Sequence, residues 1–219
     1  KKKFVSARQR AAQHKTGFDS SALNLPNGMK TAKLKKGVVR LEILPFTITE
    51  KFKKFHKDIT GPTGAEVGDL YWEQSYWTHR AIGPEEKTYV CPQKTFNKPC
   101  PICEHRAKLS KDPSSDEETI KALAPKERQL FCILDHANEA DGPQILEMSF
   151  HLFGKLLDKT VNDCDEGDNY DMFASPDEGM TLKCSVDEST MGKGKPYPEI
   201  INIEFKPRVK PLDPEWLEK

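Results

Sequence analysis

The sequence has 219 residues, with 34 lysines and arginines balanced by 34 aspartates and glutamates, so its formal net charge is zero. Only 36% of the residues are hydrophobic, and no stretch approaches the roughly 18 consecutive apolar residues that a membrane-spanning helix needs. We therefore expect neither a collagenous, a coiled-coil nor a membrane protein, but one large domain or a smaller domain with an insertion.

The start of the chain, Lys1 to Lys3, is basic but is not followed by the apolar segment of a secretory signal. We therefore expect a cytoplasmic protein. The sequence has no initiating methionine and stops at Lys219, so we expect it to be part of a longer chain.

Charge is distributed unevenly along the chain. Residues 1–40 contain eleven basic residues and one acid, residues 41–134 contain fourteen of each, and residues 135–178 contain twelve acids and two lysines. A block as basic as the first attracts phosphate polymers, because binding releases their condensed counterions. It also fits a solvated, partly disordered arm. We assign residues 1–36 to a basic N-terminal arm and tether.

The folded core is predicted to begin at residue 37, where Val39, Leu41 and Ile43 alternate with charged residues in the period of a half-buried strand. Further strands are predicted at 70–79, 130–135, 144–152, 179–186 and 199–206, and helices at 101–111, 114–123 and 154–162. Several short strands with long connections favour a mostly β (α+β) fold built on a small barrel. The sequence contains no phosphate-binding glycine loop, nucleophile elbow or kinase signature.

Three of the six cysteines, Cys91, Cys100 and Cys103, lie within thirteen residues, and the first two are followed by proline. In a cytoplasmic chain this pattern favours a metal site over a disulfide framework, because reduced thiols are good Zn²⁺ ligands. The fourth ligand would be His79 or His105, although His105 follows Cys103 too closely for tetrahedral geometry. A redox Cys-x-x-Cys pair is the alternative, but the strand-to-helix setting of a thioredoxin-like domain is missing. We predict one structural Zn²⁺ ion.

An enzymatic zinc site is a second interpretation. The segment Pro99-Cys100-Pro101-Ile102-Cys103 matches one half of the signature of zinc-dependent deaminases. The other half is absent, because neither His56 nor His79 is followed two positions later by the glutamate that moves protons in those enzymes. An ion held by one histidine and three cysteines has no open position, which favours a structural role.

Two segments combine basic and aromatic residues. Residues 51–57 hold four lysines and two phenylalanines, and they either form an amphipathic helix that docks on the core or bind phosphates and a base. Residues 191–198 form either a plain hairpin loop or a mobile cationic flap with one stacking ring. The candidate DNA contacts from these and neighbouring segments are Lys51, Lys53, Lys54, Phe55, Lys57, Tyr76, Lys126, Arg128, Lys193, Lys195 and Tyr197.

In type and order these features resemble the replication single-stranded-DNA-binding proteins of T-even-like tailed bacteriophages. The resemblance includes the basic arm, the opening strand 38–45, the succession His79, Cys91, Cys100 and Cys103, and the segments 153–159 and 179–183. It covers roughly residues 1–205, and the His-Cys-Cys-x-x-Cys order is its most specific part. Residues 51–57 have no clear counterpart in that family.

The resemblance implies a five-stranded OB-fold core over residues 37–210, with a zinc-ribbon-like subdomain inserted at about 70–125 and a C-terminal tail starting at 211–219. A positively charged cleft would separate the core from the subdomain. The implied zinc ligands are His79, Cys91, Cys100 and Cys103, and Phe131, Lys183 and Tyr197 are implied as DNA-contact candidates.

The implied function is cooperative, sequence-independent binding of single-stranded DNA in phage DNA replication, recombination and repair, without catalysis, in the cytoplasm of the infected bacterial host. Self-association along DNA is expected to use the arm residues Lys1, Lys2, Lys3, Arg8 and Arg10. Phage replication and recombination proteins would bind an acidic tail that this sequence lacks. A deaminase-like zinc enzyme and a zinc-ribbon adaptor that recruits proteins remain the alternatives.

Overall fold

The computed structural model describes residues 29–55, 64–165, 167–190 and 196–217. The strands are β1 (Lys30–Thr31), β2 (Gly37–Leu44), β3 (Phe46–Thr47), β4 (Leu70–Tyr71), β5 (Gln74–Ile82), β6 (Lys87–Val90), β7 (Lys126–Asp135), β8 (Gln144–Ser149), β9 (Met180–Ser189) and β10 (Tyr197–Pro207). The α-helices are α1 (Glu50–Phe55), α2 (Pro92–Phe96), α3 (Pro101–Leu109), α4 (Glu117–Ala122), α5 (Lys155–Asn162) and α6 (Pro214–Leu217). A π-helical turn, Phe150–Gly154, leads from β8 into α5.

One large sheet organises the chain, in the order β1-β8-β7-β2-β9-β10. Its neighbouring strands are antiparallel except for the parallel pair of β1 and β8. One edge of β7 pairs with β8, and the other edge is divided between two partners. Residues 132–135 of β7 pair with β2, and residues 126–130 pair with β5, which in turn pairs with β6. The fold is therefore mixed, with a mostly β core.

The predicted five-stranded OB-fold barrel is not confirmed, and the described strands do not form a closed barrel. Among the described residues, β8 and β10, which end the series β8-β7-β2-β9-β10, do not pair with each other. The π-helical turn contacts β8, and both it and α5 contact β10, so this helical segment lies across the gap between the two strands. No helix in the described part of the chain is long and apolar enough to cross a bilayer.

Alternate residues of the central strands fill the core, as the period-two pattern of the sequence predicts. The fully or nearly fully buried members include Leu41, Ile43, Phe131, Ile133, Leu146, Met148, Leu182 and Cys184. Phe131 packs edge-on against Phe153 with 4.9 Å between the ring centroids, and both side chains have zero exposure. Phe131 therefore has no ring face open to a base, which corrects its assignment as a DNA contact.

A buried ion pair fixes the chain where it leaves β10. Glu42 on β2 is 2% exposed, and one of its carboxylate oxygens accepts a hydrogen bond from Arg208 Nε at 2.7 Å. Arg208 also donates to the carbonyl oxygen of Ser175 at 2.8 Å. Thr181 and His136 bind the other oxygen of Glu42. Because each charged group is fully partnered, the pair anchors the segment after β10 to the loop before β9.

Removing the guanidinium of Arg208 tests this anchor. In Arg208→Met, Glu42 stays buried without its positive partner, so we expect the free energy of unfolding to fall by about 3–5 kcal/mol in urea denaturation. Lys206→Met is the control, because Lys206 forms a more exposed ion pair with Glu204 and should cost less than about 1 kcal/mol. Equal losses in the two variants would contradict the anchoring role.

Candidate metal centre

Each Cys-Pro pair begins a short helix. Cys91 is the N-cap of α2 and Cys100 is the N-cap of α3, and in both helices proline occupies the first turn. Proline suits this position because its missing N–H would have no helical partner. A sulfur at the N-cap faces the free N–H groups of the first turn, and Cys91 Sγ accepts from the Lys94 N–H at 3.4 Å. Cys103 follows Cys100 by three residues on α3, so both sulfurs point to one side.

His79 reaches these sulfurs because β5 and β6 form an antiparallel pair. The Cys91 N–H, directly after β6, donates to the Trp77 carbonyl oxygen on β5 at 2.7 Å. His79 has zero exposure, and its Nδ1 lies 2.9 Å from the carbonyl oxygen of Leu123. This contact assigns the ring proton to Nδ1 and leaves Nε2 free to face the sulfurs.

The donor atoms are spaced as ligands of a single ion. His79 Nε2 lies 3.4 Å from Cys100 Sγ and 3.5 Å from Cys103 Sγ. Cys91 Sγ lies 3.5 Å from Cys103 Sγ, and all four donor atoms are within 4.8 Å of one another. A tetrahedral ion bonded to nitrogen at about 2.0 Å and to sulfur at about 2.3 Å keeps its ligand atoms roughly 3.5 to 3.8 Å apart. The four predicted side chains therefore lie together and could bind one metal ion.

The electrostatics of the cluster favour a bound cation. Burial lowers the pKa of His79, which keeps the imidazole in the neutral form that binds metals. Burial, followed by the neighbouring sulfurs of Cys91 and Cys100, raises the pKa of Cys103 to about 12. Three thiolates at this separation need positive charge to compensate them, and a divalent ion supplies it.

The lobe that holds the cluster has almost no apolar core of its own. Between residues 92 and 123, all of which the structure describes, only Thr95 and Cys100 are buried. α3 and α4 are joined by a hydrogen bond from Arg106 Nε to the Ile120 carbonyl oxygen at 3.0 Å, and neither helix buries a residue. A segment with so little buried area depends on an added cross-link, and a metal ion joining β5, α2 and α3 provides one.

Three predicted DNA contacts share the outer face of the sheet. Tyr76 on β5 lies opposite Arg128 on β7, and the next pair in the same orientation places Lys126 on that face, opposite to the core. Lys126 is exposed. Tyr76 is only 3% exposed, and its hydroxyl donates to Glu147 at 2.6 Å. Arg128 Nε donates to the same carboxylate oxygen at 2.9 Å. The Tyr76 ring therefore has no face open to a base, which corrects its assignment as a DNA contact.

Residues 51–55 belong to α1. This is the docked amphipathic helix that one of the two interpretations of residues 51–57 predicts. Phe52 is buried, and its ring centroid lies 5.1 Å from that of Phe46. Lys51 and Lys54 are exposed, whereas Lys53 forms an ion pair with Glu66.

The remaining predicted contacts are dispersed. Lys183 pairs with Glu204 at 3.0 Å, and Tyr197 is half-buried at the start of β10. Lys57, Lys193, Lys195 and the arm residues Lys1, Lys2, Lys3, Arg8 and Arg10 lie outside the described residues, and so does the side chain of Phe55.

A ring-lined cleft of about 420 Å³ lies beside β5, β7 and α5, but it is acidic. Its rings are Tyr71, Trp72, Trp77, Phe150 and Phe173, and its carboxylates are Glu73, Glu127, Asp158 and Asp171. Burial raises the pKa of the Glu73 carboxyl, and the nearby charge of Asp158 adds to that rise. Among the described residues, no lysine or arginine lines this cleft. It would repel phosphates, so it is not the positively charged cleft that the resemblance implies.

Basic residues that sequence reasoning did not select lie on two other surfaces. Arg80 on β5 is exposed, and burial of part of its guanidinium together with the charge of Arg128 lowers its pKa. Lys155 and Lys159 are exposed on α5. The signals for these residues were present, because Arg80 continues the alternation of β5 and the two lysines are one helical turn apart.

The chain matches no family model, and a comparison with curated proteins finds no similar sequence.

Loss of one sulfur ligand tests the dependence of the lobe on the metal. In Cys100→Ser, we expect the bound metal to fall to a trace by elemental analysis. Amide hydrogen exchange should then show lost protection over residues 92–123 and retained protection in β9, because β9 belongs to the core sheet. Cys164→Ser is the control, since Cys164 is an exposed thiol outside the cluster. Unchanged exchange in residues 92–123 of Cys100→Ser would contradict the metal cross-link.

Proposed function

We propose that this protein binds single-stranded DNA without reading its sequence, through a core of OB-fold type. The observation that carries the proposal is the order of the core strands. If β2, β7, β8, β9 and β10 are numbered 1 to 5 along the chain, the sheet order is 3-2-1-4-5, and a helix connects the third and fourth strands. This is the strand order of the OB-fold, a partly open five-stranded Greek-key barrel that binds oligonucleotides.

The charge of the outer face supports the same proposal. OB-folds bind nucleic acid on the face of their second and third strands and on adjoining loops, and these strands correspond to β7 and β8. Lys126 is exposed on this face of β7, and Arg80 is exposed on the neighbouring β5. Arg128 shares the face with Lys126, but its charge is offset by the ion pair with Glu147. Cations that attract the phosphate backbone provide affinity for any sequence. The connection between the first and second strands contains the metal lobe, which would border the bound strand.

Zinc is the metal that we propose for the centre. Three thiolates and one imidazole form a common closed, tetrahedral zinc site, and soft sulfur ligands disfavour magnesium and calcium. Four protein ligands leave no position for a reactive water. This supports a structural ion and a protein without catalytic activity, rather than the deaminase-like alternative.

The biological setting that we propose is phage DNA replication, recombination and repair in the cytoplasm of an infected bacterium. Cooperative self-association along DNA would use the basic arm, and phage replication and recombination proteins would bind an acidic tail outside this sequence. The support is the resemblance of the motifs, together with the excess of basic residues in residues 1–40.

A fluorescence titration with oligo(dT), oligo(rU) and duplex DNA at several salt concentrations tests the proposed function. We expect oligo(dT) to bind more tightly than duplex DNA, with a logarithmic salt slope of about −0.7 for each phosphate neutralised. Equal affinity for duplex DNA would overturn the proposal. Failure to bind oligo(dT) would also overturn it and would favour the protein-recruiting adaptor, whereas conversion of cytosine or adenine in a single strand would favour the enzyme.

Neutralising the arm tests self-association. With Lys1, Lys2, Lys3, Arg8 and Arg10 changed to glutamine, we expect a larger loss of affinity for poly(dT) than for an oligomer that holds one protein, because cooperativity operates only between neighbours. The matched control changes five basic residues of the metal lobe, Lys94, Lys98, Lys108, Lys111 and Lys121, to glutamine. Unchanged cooperativity on poly(dT) in the arm variant would exclude this role.

A further inference from the structure

A groove of about 470 Å³ lies between the helical segment after β8 and the strand β10. It is lined by His151, Leu152, Lys155, Leu156, Lys159, Glu199, Ile200 and Ile201. The helix is fixed by its opposite side, where Phe153 has zero exposure and Leu157 is 3% exposed. The groove is therefore a surface of the folded core rather than a gap between mobile parts.

The groove has excess positive charge. Lys155, Lys159 and His151 are exposed, and none of them has an acidic partner within 4.0 Å among the described residues. Glu199 is the acid that lines the groove, and its carboxylate accepts a hydrogen bond from the Ser189 hydroxyl. Lys183, by contrast, is partly neutralised by its ion pair with Glu204. Two unpaired lysines in one groove favour an anionic ligand.

The spacing of the cations and the apolar wall match an extended polyanion with flat apolar groups. Lys155 and Lys159 are one turn apart on the same side of α5, about 6 Å along the helix axis. This is close to the distance between neighbouring phosphates of an extended nucleic-acid strand. Ile201 on the facing strand is 57% exposed, which is high for a branched apolar side chain next to a core strand.

The groove continues the surface already proposed to bind DNA. Ser149, the last residue of β8, lies opposite Arg128 on β7, and His151 follows it by two residues. A strand that crosses the outer face of β7 and β8 towards this end of β8 therefore approaches His151, one of the residues that line the groove. The acidic ring-lined cleft beside α5 cannot offer such a path to phosphates, because carboxylates line it.

We propose that the groove between α5 and β10 binds the phosphates of the single strand, with Lys155 and Lys159 as direct phosphate contacts and Ile201 as an apolar support for a sugar or base. The assignment rests on the proposed function and extends its binding surface beyond the outer face of β7 and β8, to the side where β8 and β10, as far as the structure describes them, do not pair with each other.

The test compares charge-removing and charge-conserving variants of the full chain. In Lys155→Gln/Lys159→Gln, we expect weaker oligo(dT) binding, and a salt slope shallower by about 1.4, because two phosphate contacts of about 0.7 each are lost. Lys155→Arg/Lys159→Arg should retain the wild-type slope. The matched control, Lys206→Gln/Lys210→Gln, removes the same charge at exposed positions at the far end of β10 and just beyond it, and should leave the slope unchanged.

The outcomes separate the groove from the function. If the wild type binds oligo(dT) and the Lys155→Gln/Lys159→Gln variant keeps the wild-type slope, the groove assignment is overturned and the proposed function stands. If that variant and the Lys206→Gln/Lys210→Gln control lose the same slope, overall charge accounts for the effect and the groove is again excluded. If the wild type does not bind, both proposals fall. In a thermal melt, each variant should unfold at the same temperature as the wild type, which would show that the surface changes leave the fold intact.

Discussion

The divided edge of β7 is the constraint on which both halves of the structure depend. One part of this edge pairs with β2 within the core sheet. The other part pairs with β5, which places His79 at the cysteine cluster. Since both pairings use a single continuous strand, the metal lobe is joined to the core by backbone hydrogen bonds rather than by a flexible linker. The alternation of β7 then places Phe131 in the core and Lys126 on the surface.

Local chemistry made the metal ligands and most strands predictable from the sequence. The Cys-Pro pairs specify N-caps of helices, the Cys-x-x-Cys spacing orients two sulfurs, and the alternation of apolar residues locates β2, β7 and β9. The features that the sequence did not predict depend on contacts between residues that are far apart in the sequence. Tyr76 is buried with its hydroxyl bonded to Glu147, which is 71 positions away. In the described part of the chain, β8 and β10 are not paired with each other, and a helical segment lies between them. The helix begins at Phe150, where the apolar pattern predicted that the strand would continue to residue 152.

In the described part of the chain, the ring-lined cleft and the lysines proposed to bind phosphates lie on separate surfaces. The cleft has four carboxylates, whereas Lys126 is exposed on the outer face of β7 and Lys155 and Lys159 are exposed on α5. A protein that stacks bases on rings gains affinity that is insensitive to salt, whereas one that neutralises phosphates loses affinity steeply as salt rises. For the proposed DNA binding, this separation predicts an affinity dominated by phosphate contacts, with a smaller contribution from stacking than the aromatic content of the sequence suggests.

The anchor formed by Glu42 and Arg208 has a mechanical consequence. Arg208 immediately follows β10, and a few residues later the Leu212 N–H donates to the Pro176 carbonyl oxygen at 2.9 Å. A force applied to the C-terminal end must break these attachments before it acts on the hydrogen bonds between β9 and β10. A binding partner that pulls on this end would load the anchor before it could peel β10 from the sheet.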